Sequence, residues 1–344
     1  MMILTERQRF ILTLVIHEYI RTATPVGSKP LVERYHLDIS SATLRNEMAV
    51  LTELGYLRQP HTSAGRVPTE EGYRYFVSRP LHESELPDPT RRMISHQFHQ
   101  MRHDIDQSMR LAASILANQS HAASLVTAPH AEQARIKHLE LIVTRGRQML
   151  MVLVLLGGEI RQRLLALSEP VSQEQLSTAA DLITHLFQGG GVEELRATQP
   201  GLAGLEQDIV NWLISELTQA DTLAAGEVYL DGFTNVLAEP EFSDSEDARR
   251  ALRLLEERSS LQDLLSRTVL TSSVGGVQVI IGGEGTWEEL RLCSLVLARY
   301  GTPGLATGTL GVLGPMRMPY GRTISTVRFL AGLLSDMVTE TLVD

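Results

Sequence analysis

Apolar positions in the first eighty residues repeat at helical spacing, in short bursts separated by turn residues. Thr5-Glu6-Arg7-Gln8 is a capping-box pattern, and it predicts a helix to about Tyr19 with Ile11, Leu14 and Val15 inward. The stretch from Thr22 to Gly27 breaks it. Ser28 caps a short second helix that tolerates Pro30 in its first turn and turns Leu31, Val32 and Tyr35 inward. Ser40 or Ser41 caps a third, whose stripe is Leu44, Met48, Leu51 and Leu54; Gly55 stands where a C-cap glycine belongs. Two short strands, Tyr56 to Pro60 and Arg66 to Pro68, flank a polar tip from His61 to Gly65. Neither Pro60 nor Pro68 can donate to a ladder, so both strands are edges. Thr69 caps a closing helix with Tyr73, Tyr75 and Phe76 in its core face.

Further on, Leu86-Pro87-Asp88-Pro89 reads as an extended linker, followed by one long helix from Thr90 to about Asn118. At Ile136 the period drops to two. Three strands, 136–144, 148–156 and 159–167, are joined by two hairpin turns, and the middle one, containing MLMVLVLL, is apolar on both faces and therefore central. Helices return at 172–187 and 205–219, with a possible short strand at 227–230 and a helix at 245–258. Strands resume at 277–281, 293–300 and 309–312, and a final helix runs from Ile324 to about Thr341.

The third helix and the hairpin carry the candidate chemistry. Opposite the leucine stripe lie Ala42, Arg45, Asn46 and Ala49. Arg can read guanine edges, Asn adenine edges, and alanines allow close approach to a major groove. A capped helix followed at once by an arginine-flanked hairpin is the pattern of a winged helix-turn-helix. Arg45 and Asn46 are the base-contact candidates; Ser41, Ala42, Thr43, Arg58, His61, Thr62, Ser63 and Arg66 complete the DNA-facing set, with Arg58 and Arg66 directed at the phosphates. The net charge of −10 opposes this, but its distribution does not: residues 1–80 hold 10 Lys+Arg against 8 Asp+Glu, and the rest holds 21 against 33. Screening over about 8 Å makes local arginines decisive.

The run SSATLRNEMAVLTELGYLRQPHTSAGRVPTEEGYRYFV resembles the HrcA family of heat-inducible transcription repressors, as do IGGEGTWEELRLCSLVLARY and GTLGVLGPMRMPYGRTI near the C-terminus. The resemblance implies an α+β multidomain protein: a winged helix-turn-helix over 1–80, a linker over 81–92, a discontinuous GAF-like α/β domain over 93–180 and 259–344, and an inserted α-rich dimerisation domain over 181–258. It further implies repression of chaperone operons, binding as a homodimer to an inverted-repeat (CIRCE) operator, and a GroE chaperonin (GroEL/GroES) partner that keeps the repressor active.

Other classes find little support. His96, His99 and His103 share one helix side without a companion cysteine, so no metal and no cofactor is expected. Gly189-Gly190-Gly191 lacks the Lys-Ser/Thr of a phosphate loop, no catalytic triad pattern occurs, and Glu284, Glu288 and Glu289 read as a helix N-terminal charge cluster; an enzyme is not expected. No apolar run reaches membrane-spanning length, no signal peptide is visible, and Cys293 is the single cysteine, which fits a reducing, cytoplasmic setting. The alternative reading is a winged-helix regulator switched by a small-molecule effector in the GAF-like domain.

Overall fold

The computed structural model describes the chain apart from residues 1–3, 79–85, 102–103, 131–133, 157, 168, 200–203, 223–226, 283–285, 304, 344 and most of 243–273. The expected helix at 245–258 and His103 fall largely or wholly outside the described residues. The chain divides into two compact units. The first holds Met1–Val126, Val228–Arg299 and Thr309–Leu333; the second holds Thr127–Glu227, Tyr300–Gly308 and Leu334–Asp344.

The first unit opens with α1 (Glu6–Thr22), α2 (Ser28–Tyr35) and α3 (Ser41–Glu53). Thr5 closes its capping box in both directions: its hydroxyl accepts from the Gln8 N–H, and the Gln8 side chain accepts from its own N–H. In α2 the cap is Gly27, not Ser28, which is the first helical residue and is itself buried. Ser40 caps α3 by accepting from the Thr43 N–H at 3.0 Å. Leu44, Met48 and Leu51 are buried as the stripe requires.

β1 (Leu57–Arg58) and β2 (Val67–Pro68) pair antiparallel, with Arg58 opposite Val67. α4 (Glu70–Val77) follows, capped by Thr69. The single long helix expected after Thr90 is instead two, α5 (Asp88–Gln100) and α6 (Ile105–Ser120). Asp104 explains the break: its carboxylate accepts from the Gln107 N–H at 2.9 Å, so it starts a new helix where the apolar period alone predicted continuation. The expected linker is also shortened, because Pro87 is the N-cap of α5 and Leu86 is buried. β3 (Ala123–Thr127) is buried throughout and was not anticipated.

In the second unit, β4 (Ile136–Val143), β5 (Gln148–Leu155) and β6 (Ile160–Ala166) form the expected antiparallel meander, with β5 central. α7 (Gln173–Phe187), α8 (Val192–Thr198) and α9 (Leu205–Thr222) share one core with it, in which Leu139, Leu141, Met151 and Leu153 meet Leu176, Ile183, Ile209 and Leu213. The meander thus packs with the 173–222 helices; the sequence reading had grouped it instead with the strands after residue 277. Pairing decides the matter: among the described residues these strands pair with each other alone, and the apolar faces of the next helices in the chain cover their sheet. Arg161 and Arg163 on β6 reach the nearly buried Glu216 of α9.

The chain then adds β7 (Val228–Asp231), α10 (Phe233–Leu237), β8 (Val277–Ile281), β9 (Cys293–Thr302), β10 (Ala306–Pro315) and α11 (Tyr320–Val343). A five-stranded sheet runs in the order β7-β3-β10-β9-β8. β10 is buried along its whole length, as a strand in mid-sheet must be when both faces are covered. Arg322 of α11 donates to Gln119 of α6 at 2.8 Å. Among the described residues no helix is long and apolar enough to cross a membrane.

Gly65 and Gly72 are required by close backbone approach. A Cβ at Gly65 would lie 2.4 Å from the Val26 carbonyl oxygen, and one at Gly72 would lie 2.3 Å from that of Tyr56. Gly65→Ala should therefore cost about 1–3 kcal/mol of stability, the usual range for overpacking. A lowered urea midpoint at unchanged slope is the expected result, and an unchanged midpoint would refute the contact.

Candidate nucleic-acid interface

The exposed side of α3 is set by what its other side buries. With Leu44, Met48 and Leu51 held against α1 and α2, the helical period turns Ala42, Arg45 and Asn46 to solvent. Arg45 and Asn46 have no side-chain partner among the described residues, so both are free for a ligand. Ser41 and Thr43 flank them half-buried at the helix start, and the Thr43 hydroxyl lies 2.9 Å from that of Ser40. Glu47 is drawn to the adjoining helix instead, receiving Gln8 at 3.3 Å and Arg7 at 3.7 Å.

The hairpin beside α3 is fastened at two levels. Val26 and Arg66 exchange both backbone hydrogen bonds, each at 2.8 Å, which adds a one-residue third strand. At the tip, the Gln59 side-chain amide donates to the carbonyls of Thr62 and Ala64 at 2.9 and 3.0 Å, and the Ala64 N–H donates to the His61 carbonyl. His61, Thr62 and Ser63 are left exposed on a tip held from inside.

The two hairpin arginines part company. Arg66 is half-buried, and its Nε donates to Thr52 Oγ1 at 3.0 Å, tying the hairpin to the last turn of α3. Arg58 is exposed and lines a cleft with Tyr19, Tyr73 and Arg317. Sequence reasoning missed Gln59, Thr52 and Glu18. Glu18 alone had a readable signal, its place three residues before Arg21 on a helix. Its carboxylate takes Arg21 at 2.7 Å, Arg34 at 3.4 Å and the Tyr35 hydroxyl at 3.3 Å, joining α1 to α2. The Arg21 hydrogen bond, helped by Arg34, holds the Glu18 carboxyl below the usual carboxylate range. No cluster of His, Cys, Asp or Glu suited to a metal ion occurs among the described residues.

A free guanidinium and a free amide thus share one helix face beside a braced hairpin, and the class to which the chain belongs is that of the transcription repressors. Comparison with known proteins makes the family explicit. The chain belongs to the HrcA family, the heat-inducible transcription repressors. The family model described as the HrcA protein C-terminal domain matches residues 106–324. The heat-inducible transcription repressor HrcA of Roseiflexus castenholzii is 44% identical over 345 residues, covering 98% of this chain and 95% of that protein. That of Chloroflexus aurantiacus is 42% identical over 354 residues, with 98% and 94% covered. A crystal structure described as a hypothetical protein shares the fold, with TM-score 0.62 and 24% identity over 98% of this chain and all of that one.

Because the folded-state pKa of Glu18 is depressed, its contribution is present above the unfolded value and is lost as pH falls through the folded one. Glu18→Gln should lower stability at neutral pH and flatten the acid decline expected below about pH 4.3. Chemical denaturation at a series of pH values checks this; parallel curves for parent and variant would refute it.

Proposed function

We propose that residues 4–78 form a winged helix-turn-helix that binds an inverted-repeat operator upstream of chaperone operons. The observation that carries this reading is the unpartnered Arg45–Asn46 pair on the exposed face of α3. With Ala42 alongside, these side chains can enter a major groove and read base edges. Ser41, Thr43, His61, Thr62 and Ser63 lie where phosphates would pass, and Arg66 contributes whatever of its guanidinium Thr52 leaves free. Four of the set are hydroxyl side chains, so backbone affinity would rest mainly on short-range hydrogen bonds.

Repression of an inverted repeat calls for two heads. The dimer contact proposed here is the outer face of the meander. Its cross-strand rows place Ile142, Leu150 and Leu164 side by side, and Val154 beside Ile160. Ile142, Ile160 and Leu164 are 40%, 59% and 56% exposed, an apolar stripe on one sheet face while the opposite face is filled by the unit's own helices. On this reading the inserted dimerisation domain is the body around residues 134–222, and the five-stranded sheet with its helices is the GAF-like domain. The GroE chaperonin fits as the activating partner, because a chain that exposes MLMVLVLL on misfolding offers it apolar surface. Heat-damaged clients would then compete for the chaperonin and release repression.

Arg45→Ala should weaken operator binding by about 1–3 kcal/mol and relax specificity at one base pair. Gel-shift titration against operator and scrambled duplexes measures both; parent-like affinity would remove α3 from the interface. Chaperonin added to the same titration should raise the active fraction of parent protein, and no gain would count against the partner. Leu164→Glu should shift the protein from dimer to monomer in sedimentation equilibrium, and a surviving dimer would move the contact elsewhere.

A further inference from the structure

Within the first unit a cleft of about 590 Å³ opens beside β1 and the start of α4. That volume is in the range of small-molecule sites. Its walls carry four guanidinium groups, those of Arg58, Arg74, Arg291 and Arg317, against three carboxylates, those of Glu70, Glu71 and Glu241. The carboxylates are already committed. Glu70 and Glu71 hold Arg74 at 3.1 and 3.6 Å, and Arg74 also donates to the Ile281 carbonyl at 3.2 Å. Glu241, with Glu239 behind it, grips Arg317. Arg58 has neither a hydrogen bond nor an ion pair among the described residues, so its guanidinium lines the cleft without a carboxylate of its own.

A second, independent feature marks the same place. The Tyr73 side chain is 2% exposed, and its hydroxyl has no hydrogen-bond partner. Burial first, and then the neighbouring Tyr320, Tyr19 and Glu241, push its pKa up; of these neighbours Tyr19 and Glu241 line the cleft together with Tyr73 and Arg317. Buried hydroxyls are nearly always satisfied, and an orphan of this kind asks for an acceptor. Burial keeps the phenol protonated, so it can only serve an incoming group as a donor or through its own lone pairs.

We propose that this cleft binds a small organic molecule bearing one oxyanion, a carboxylate or a phosphate ester, with Arg58 supplying the countercharge and the Tyr73 hydroxyl donating to it. Such a ligand would touch the hairpin strand and α4 on one side and the 291–292 and 316–317 corner of the sheet domain on the other. Occupancy would therefore brace the N-terminal helices against the core of the first unit. The site is separate from the Arg45–Asn46 face, and its test needs no DNA.

Isothermal titration of the full chain with inorganic phosphate, glucose 6-phosphate and benzoate, at constant ionic strength, tests the assignment and separates phosphate from carboxylate. At least one should bind saturably at one site per chain and raise the melting temperature. Arg58→Gln and Tyr73→Phe should each weaken it by about tenfold or more, equivalent to about 1.4 kcal/mol. Without ligand, Tyr73→Phe should leave the melting temperature unchanged or higher, since the hydroxyl serves nothing inside the protein. Three outcomes overturn the proposal: no saturable binding of any of the three anions, binding that both substitutions leave intact, or a ligand-free Tyr73→Phe protein that melts lower than the parent.

Discussion

The reciprocal backbone pair between Val26 and Arg66 is the contact on which the N-terminal module depends. It ties the hairpin to the segment joining α1 and α2, so the hairpin cannot move without those helices. The pair is possible only because residue 65 is glycine, whose missing Cβ lets the Val26 carbonyl pass. Arg66 then extends the restraint outward through Thr52 to the end of α3. One close approach between two chain segments thereby fixes the exposed helix face and the hairpin tip relative to each other. Two surface elements held in one geometry would lose less freedom on binding a common ligand than two held loosely.

A second set of contacts joins this module to the rest of its unit through α4. Arg74 reaches the Ile281 carbonyl, the Tyr73 and Phe76 rings lie 6.1 and 6.5 Å from that of Tyr320, and Gly282 passes so close to Glu70 that a Cβ would collide with it. Tyr320 is anchored in turn by Ser294 and the Met316 carbonyl. The closing helix therefore has two duties, sealing the small domain and seating it, and that accounts for its density of aromatic side chains.

Local signals made the first eighty residues legible. The Thr5 capping box, the Ser40 cap, the leucine stripe of α3 and the glycine after it each depend on neighbours within four residues, and each is where the sequence put it. The exposure of Ala42, Arg45 and Asn46 follows directly from that stripe. What pattern could not reach was long-range partnership. Arg58 and Arg66 look equivalent in sequence, yet Thr52, fourteen residues away, claims Arg66, and a cleft shared with Arg317, more than two hundred residues away, receives Arg58. The meander was found strand by strand because alternation is local; its allegiance to 173–222 was not, because sheet membership is decided by pairing between strands. The α5–α6 break was missed because a single capping aspartate outweighed an uninterrupted apolar period.

The Gln59 amide, which fills the inside of the hairpin tip, has a thermal consequence. A loop whose carbonyls already share an internal donor has little disorder left to surrender on contact, so warming erodes its fit only slowly.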